Sequence, residues 1–137
     1  MNASLHEVYA AADYCVQLPD GELILHIGKA DAAADARLGA AGVCTHWAIV
    51  TPCNPVHRGI DAAANAADLV AFNHELQQCG ARRLPAVNRD PTGRWPDEPG
   101  CLLLDPDQDQ AERLGRHYGQ RAIVRGRIGA APQLVWL

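Results

Sequence analysis

Thr51, Cys53, Asn54 and His57 fall within the short stretch "TPCNPVH", directly after the apolar run Trp47-Ala48-Ile49-Val50. Hydroxyl, thiol, amide and imidazole side chains bind polar ligands or move protons, but they also build ordinary turns. Two prolines, Pro52 and Pro55, stiffen this stretch, which suits either use. A second candidate lies in "WPDEPG", where Glu98 stands between Pro96 and Pro99 and close to Trp95. A carboxylate held beside an indole has a raised pKa and can act as a general base. The same Glu98 also reads as an exposed loop acid, or as the partner of a nearby arginine such as Arg94. His57 is the other candidate acid–base group. His74 lies one position off an apolar helical stripe and reads as a boundary residue.

Asn65 is the most informative single position. The residues Leu69, Phe72, Leu76 and Cys79 recur at helical spacing, and Asn65 lies four before Leu69 on the same face. An amide on a core-facing stripe needs partners, because burying it unpaired costs about 1–3 kcal/mol. Thr51, Asn54 and Asn65 therefore form either a pocket at the end of a central strand or a brace in which Asn65 bonds the backbone of the stiff loop.

Cys44-x-His46 and Cys53-x-x-x-His57 supply four soft metal ligands. An extended strand between them, at about 3.3 Å per residue, holds the two pairs too far apart for one tetrahedral zinc. No metal centre and no cofactor is expected. No phosphate-binding loop, dinucleotide fingerprint, G-x-S-x-G elbow or H-E-x-x-H helix occurs, which argues against the enzymes that use them.

The elements that must position these groups follow from pattern. A short helix over Leu5 to Ala12 leads into a strand from Asp13 to Leu18. Pro19-Asp20-Gly21 turns it back into a hairpin partner from Glu22 to Ile27. An alanine-rich helix runs from Asp31 to Ala41 and stops at Gly42. Thr45 to Thr51 is a buried strand, and Asp61 caps the longest helix, which closes at Gly80. Leu84 to Val87 is a short strand, Asn88 to Pro96 a polar loop, and the run ending in Leu104 another buried strand. Asp105-Pro106-Asp107-Gln108 has the form of a helix start, with Asp105 as cap and Gln108 as the reciprocal residue. That helix turns Ala111, Leu114 and Tyr118 inward, and a final hairpin surrounds Gly129. The alternation of strands and helices implies one compact α+β or α/β domain, a mixed β-sheet covered by about three helices.

The chain has 137 residues, 48% hydrophobic and 20% charged, enough to bury a core as one domain. Its net charge of −4 argues against nucleic-acid binding. No apolar run reaches the length of a membrane span and no leader pattern opens the chain, so a cytoplasmic location with no membrane partner is expected. The five cysteines include no C-x-x-C pair and are read as thiols. Residues 1–80 carry a net −6 and residues 81–137 a net +2. The arginine-bearing second half could face an anionic ligand or form a solvated, locally paired surface.

The segments "WAIVTPCNP", "AAANAADLVAFNHEL", "WPDEPGCLLLD" and "AERLGRHYGQRAIVRG" resemble the small bacterial family called domain of unknown function 3293. The likeness extends from about Tyr9 to the C-terminus. Its motifs are an apolar strand ending in T-x-x-N-P, an Asn on the next helix, a pattern close to W-x-E-P, and G-Q-x-A-I. Thr51, Asn54 and Pro55, then Asn65, then Trp95, Glu98 and Pro99, then Gly119, Gln120 and Ala122 match them. The chain departs from the family at Cys53, where an aromatic is usual, and at Gly100, where a serine or similar is usual. The resemblance implies no reaction. It implies that these polar positions belong together, and it alone adds Gln120 to the set.

The leading expectation is a small-molecule-binding or enzymatic domain. Thr51, Asn54, Asn65, Trp95 and Gln120 bind a small polar or anionic ligand, and Glu98 or His57 is the base. The rival is a non-catalytic interaction module in which the same residues are scaffold. An open cavity lined by most of them would favour the first, and a sealed core the second. Oligomeric state is not legible.

Overall fold

Three of the four helices among the described residues start at a capping side chain. In the computed structural model, which describes residues 4–107 and 109–137, Ser4 caps α1 (Leu5–Ala11) in a reciprocal box with Glu7. Asp31 caps α2 (Ala32–Ala40) and Asp61 caps α3 (Ala62–Gln78). The fourth helix, α4 (Gln110–His117), starts later than expected. The strands are β1 (Asp13–Leu18), β2 (Gly21–Leu25), β3 (His46–Val50), β4 (Arg83–Arg89), β5 (Glu98–Leu104), β6 (Ala122–Arg127) and β7 (Gln133–Trp136). The expected order of elements is therefore observed, and the fold class is α+β. Gln108, expected to close a capping box, lies outside the described residues.

One curled sheet holds all seven strands in the order β2-β1-β4-β5-β3-β6-β7. Every ladder is antiparallel, where the sequence pattern leads one to expect a mixed sheet. The reason lies in the connections. α3 joins β3 to β4, and α4 joins β5 to β6, and each pair runs in the same direction as a helical crossover requires. Each crossover skips one strand, and the skipped strand fills in antiparallel between the two.

Strand alternation divides the core in two. Tyr14, Val16, Trp47, Ile49, Leu102, Leu104 and Val124 face one side, under Ala34 and Leu38 of α2. Ala48, Val50, Cys101, Leu103 and Ile123 face the other, against Phe72 and Leu76 of α3 and Ala111 and Leu114 of α4. The central strands β3 and β5 are thus covered on both faces, which explains their unbroken apolar runs. Gly126 is required on the first face. A Cβ there would lie 2.0 Å from the ring of Trp47, so the indole lies directly on the β6 backbone. α1 sits at one end of this face, held by a bond from the Tyr14 hydroxyl to the Tyr9 carbonyl at 2.6 Å. Tyr9 in turn packs on Trp136 with ring centroids 5.6 Å apart.

Asp105 does not cap α4. It has φ 46°, and its carboxylate accepts from the backbone N–H of Cys44 (2.8 Å), Thr45 (2.7 Å) and His46 (3.1 Å). It closes the end of β5 onto the start of β3. Asp109 precedes α4 without a side-chain cap, and the Gln110 side chain reaches back to accept from the N–H of Asp107 at 3.3 Å.

Candidate functional site

Thr51 ends the apolar run of β3 and is buried. Its hydroxyl donates to the Pro99 carbonyl at 2.7 Å and accepts from the Cys53 N–H at 3.1 Å. This seats the loop on the first residues of β5. Gly100 makes the approach feasible, because a Cβ there would fall 2.1 Å from the Val50 carbonyl oxygen. A serine at that position, usual in the resembled family, would need the backbone to shift. Cys53 is buried beside Pro99, and burial pushes its thiol pKa up.

Asn54 has φ 51°, a left-handed conformation that asparagine tolerates better than other side-chain-bearing residues. Its N–H donates to Asn65 Oδ1 at 2.9 Å. A backbone N–H can only donate, so the orientation of the Asn65 amide is fixed, and the rest of the chain follows from it. Asn65 Nδ2 donates to Asn54 Oδ1 at 2.7 Å, and Asn54 Nδ2 donates to Glu98 Oε2 at 2.7 Å. Arg58 donates to Asn65 Oδ1 and also bonds Asp68. A continuous path therefore runs from Asp68 through Arg58, Asn65 and Asn54 to Glu98. Arg58 Nε is the one fully buried side-chain polar atom without a partner among the described residues.

Gln120 fastens the loop from the other side. Gly119, at φ 68°, ends α4. Gln120 Nε2 then donates to the carbonyls of Cys53 (2.9 Å) and Tyr118 (3.2 Å). Two carbonyl partners fix its NH2 group as surely as the backbone fixes Asn65. The Val56 N–H donates to the Gly119 carbonyl at 2.9 Å.

Next to this loop is an open cavity of about 260 Å³, lined by Thr51, Asn54, Trp95, Glu98 and Gln120 of the expected set. The register of the sheet explains the grouping. Tyr14 of β1 pairs with Asn88 of β4, and Asn88 pairs with Glu98 of β5, so all three point to one face at one end. Asn65 and His57 do not line the cavity. Asn65 stands behind Asn54 and braces it. The turn at Pro55, closed by Gly59 N–H to the Pro55 carbonyl at 2.8 Å, carries His57 outward against Gly119. His57 is exposed there.

Further polar lining groups, among them Tyr9, Asn88 and Arg121, are not singled out by the sequence. The sequence pattern puts Asn88 in a loop, whereas it extends β4, and the alternation of Ala86 and Asn88 is the signal that could have found it. Tyr9 arrives from α1, and nothing local marks which face of so short a helix turns inward.

The Glu98 carboxyl sits above its ordinary pKa because burial disfavours its charge, and the bond from Asn54 only partly offsets this. Burial also raises the Tyr9 phenol, helped by the nearby Glu98 charge and opposed by Arg121. Glu98 Oε1 has no protein partner among the described residues. It is not a sealed orphan atom either, and Glu98 lines the cavity. The ligand-capable residues Cys44, His46, Cys53 and His57 are dispersed. His46 Nε2, for instance, bonds the Pro106 carbonyl at 2.7 Å. Among the described residues no group of three or more His, Cys, Asp or Glu side chains could hold a metal ion. No helix among them is long and apolar enough to cross a membrane.

Fold and site together define an α+β protein with a cavity at one end of an antiparallel sheet and a carboxyl group on its wall. Residues 50–123 match the family described as "Protein of unknown function (DUF3293)", and the chain belongs to that family. The matched span begins at the last residue of β3 and runs into β6, so it contains the whole Thr51–Asn54–Asn65–Glu98–Gln120 arrangement. No curated protein and no solved structure matches the chain.

Proposed function

We propose that the cavity beside the Thr51–Pro55 loop binds a small molecule through a polar head, with Glu98 as the proton acceptor. The observation that carries this is the asymmetry of Glu98 on the cavity wall: Oε2 is held by Asn54 at 2.7 Å, while Oε1 has no partner among the described residues. A half-buried carboxyl with a raised pKa, rigidly aimed and half unsatisfied, is poised to take a proton or a hydrogen bond from a ligand. Its cavity is slightly smaller than the ~300–1,000 Å³ of drug-sized sites, which fits a ligand of metabolite size. The domain is then a binding protein, or an enzyme in which Glu98 is the general base.

The test is a thermal-shift screen of wild type and Glu98→Gln against amines, amino acids, organic acids, sugar phosphates and nucleotides. A ligand at 100 times its dissociation constant stabilises the native state by about 2.7 kcal/mol. At least one class should raise the wild-type midpoint, and Glu98→Gln should stay folded while losing that response. A flat screen would shift the reading to an interaction module, for which the exposed Ile60 and Trp95 would be the contact surface.

A further inference from the structure

The hydrogen-bond inventory of the cavity wall restricts the chemistry of its ligand. Most donors beside Glu98 are already committed, although Asn54 Nδ2 keeps one hydrogen, and the side-chain donors of Tyr9, Asn88, Trp95 and Arg121 elsewhere on the wall have no partner among the described residues. The Thr51 hydroxyl donates to Pro99, one hydrogen of Asn54 Nδ2 goes to Glu98, and both hydrogens of Gln120 Nε2 go to backbone carbonyls. The acceptors Glu98 Oε1 and Gln120 Oε1 have no partner among the described residues, so beside Glu98 the site calls for a donor. The other end is apolar. Leu5, Ile60 and Trp95 are exposed at 43%, 58% and 52% and all three line the cavity. Large apolar side chains left in water around one opening mark a surface that a ligand covers.

From this juxtaposition we infer that the ligand is an amphipathic amine, with its nitrogen donating to Glu98 Oε1 and an aromatic or hydrocarbon body lying against Trp95, Ile60 and Leu5. The inference rests on the reading of the cavity as a binding site and adds the ligand's class and orientation. An ammonium group also supplies the counter-charge that Glu98 lacks, since no cation pairs with it among the described residues. The charged or titratable neighbours that share the lining are Tyr9, Tyr14, Arg89, Asp90 and Arg121. Arg89 is paired with Asp97 at 3.6 Å, and no histidine is among them. Glu98 is therefore the group whose ionisation amine binding follows. The raised Glu98 pKa means that amine affinity climbs as pH rises through it.

Three small probes separate the parts of this inference in calorimetric titrations of the whole chain. Phenethylamine has both the donor and the apolar body, ethanolamine lacks the body, and 3-phenylpropanoate lacks the donor. Phenethylamine should bind at least about tenfold more tightly than either of the others, equivalent to ~1.4 kcal/mol. Its affinity should increase as pH rises above the ordinary glutamate range. Glu98→Gln should weaken it by about tenfold or more, and Trp95→Ala should weaken it without moving the melting temperature. Equal binding of 3-phenylpropanoate, or an effect of neither substitution, would overturn the inference. Tight ethanolamine binding abolished by Glu98→Gln would remove the apolar body while leaving the cavity a binding site. No binding by any probe or by the wider ligand panel would remove both.

Discussion

Asn54 and Asn65 form the joint on which the site turns. Asn65 accepts twice and donates once, while Asn54 contributes its N–H, its carbonyl oxygen and its NH2. Asn65→Ala strips partners from the Asn54 backbone and side chain and from Arg58, so a loss of about 1–3 kcal/mol is expected in chemical denaturation. A variant as stable as wild type would show that Asn65 is not the brace. Asn54 separates backbone from side chain. Asn54→Gly keeps the φ 51° conformation easily and should be more stable than Asn54→Ala by about 1 kcal/mol, while both lose the bond that aims Glu98. Asn65 was legible in the sequence, because an amide on an apolar helical stripe must find partners. The partner itself was not, since the left-handed turn of Asn54 has no local signature in T-P-C-N-P.

Among the elements, helices and strands were legible wherever caps and periodicity agreed, as at Asp31 and Asp61. The failure at Asp105 is instructive. Asp-Pro-Asp-Gln satisfies the local rules for a helix start, but the carboxylate finds three backbone N–H groups on a chain segment about sixty residues away. A long-range network outweighs a single cap, and no local pattern contains it. The antiparallel sheet escaped for the same reason, because the strand inserted into each crossover comes from elsewhere in the chain. Asp105→Asn isolates the charge, since asparagine also accepts φ near 46° and keeps one acceptor oxygen. It should lower stability by about 1–3 kcal/mol, because hydrogen bonds to a charged group are the stronger ones. Asp105→Ala should cost more. If both variants melted with wild type, the β5–β3 closure would be incidental to the fold.

At the scale of the whole molecule, two carboxyl groups give the stability curve opposite slopes. Burial by itself would raise the pKa of Asp105, but the N–H groups of Cys44, Thr45 and His46 override it and hold the folded value well below the ordinary carboxylate range. Its contribution is therefore present above the unfolded value near 3.9 and is lost as pH falls through the folded one. Glu98 behaves in the reverse way. Burial raises its folded pKa above 4.5, so its contribution is complete below that value and is lost as pH rises through the folded pKa. The glutamine that Glu98→Gln introduces cannot ionise, yet it still offers an oxygen to Asn54. The variant should match wild type near pH 4 and become the more stable of the two toward pH 7, with a gap that levels off once Glu98 is ionised. Urea denaturation of both proteins at about pH 4, 5.5 and 7 reads this directly. A gap independent of pH would mean that Glu98 is fully hydrated in the folded protein. A gap that widens with pH and closes when amine is added would tie this half-buried carboxyl to the ligand that relieves it. The site would then be a place where the molecule gives up stability in order to bind.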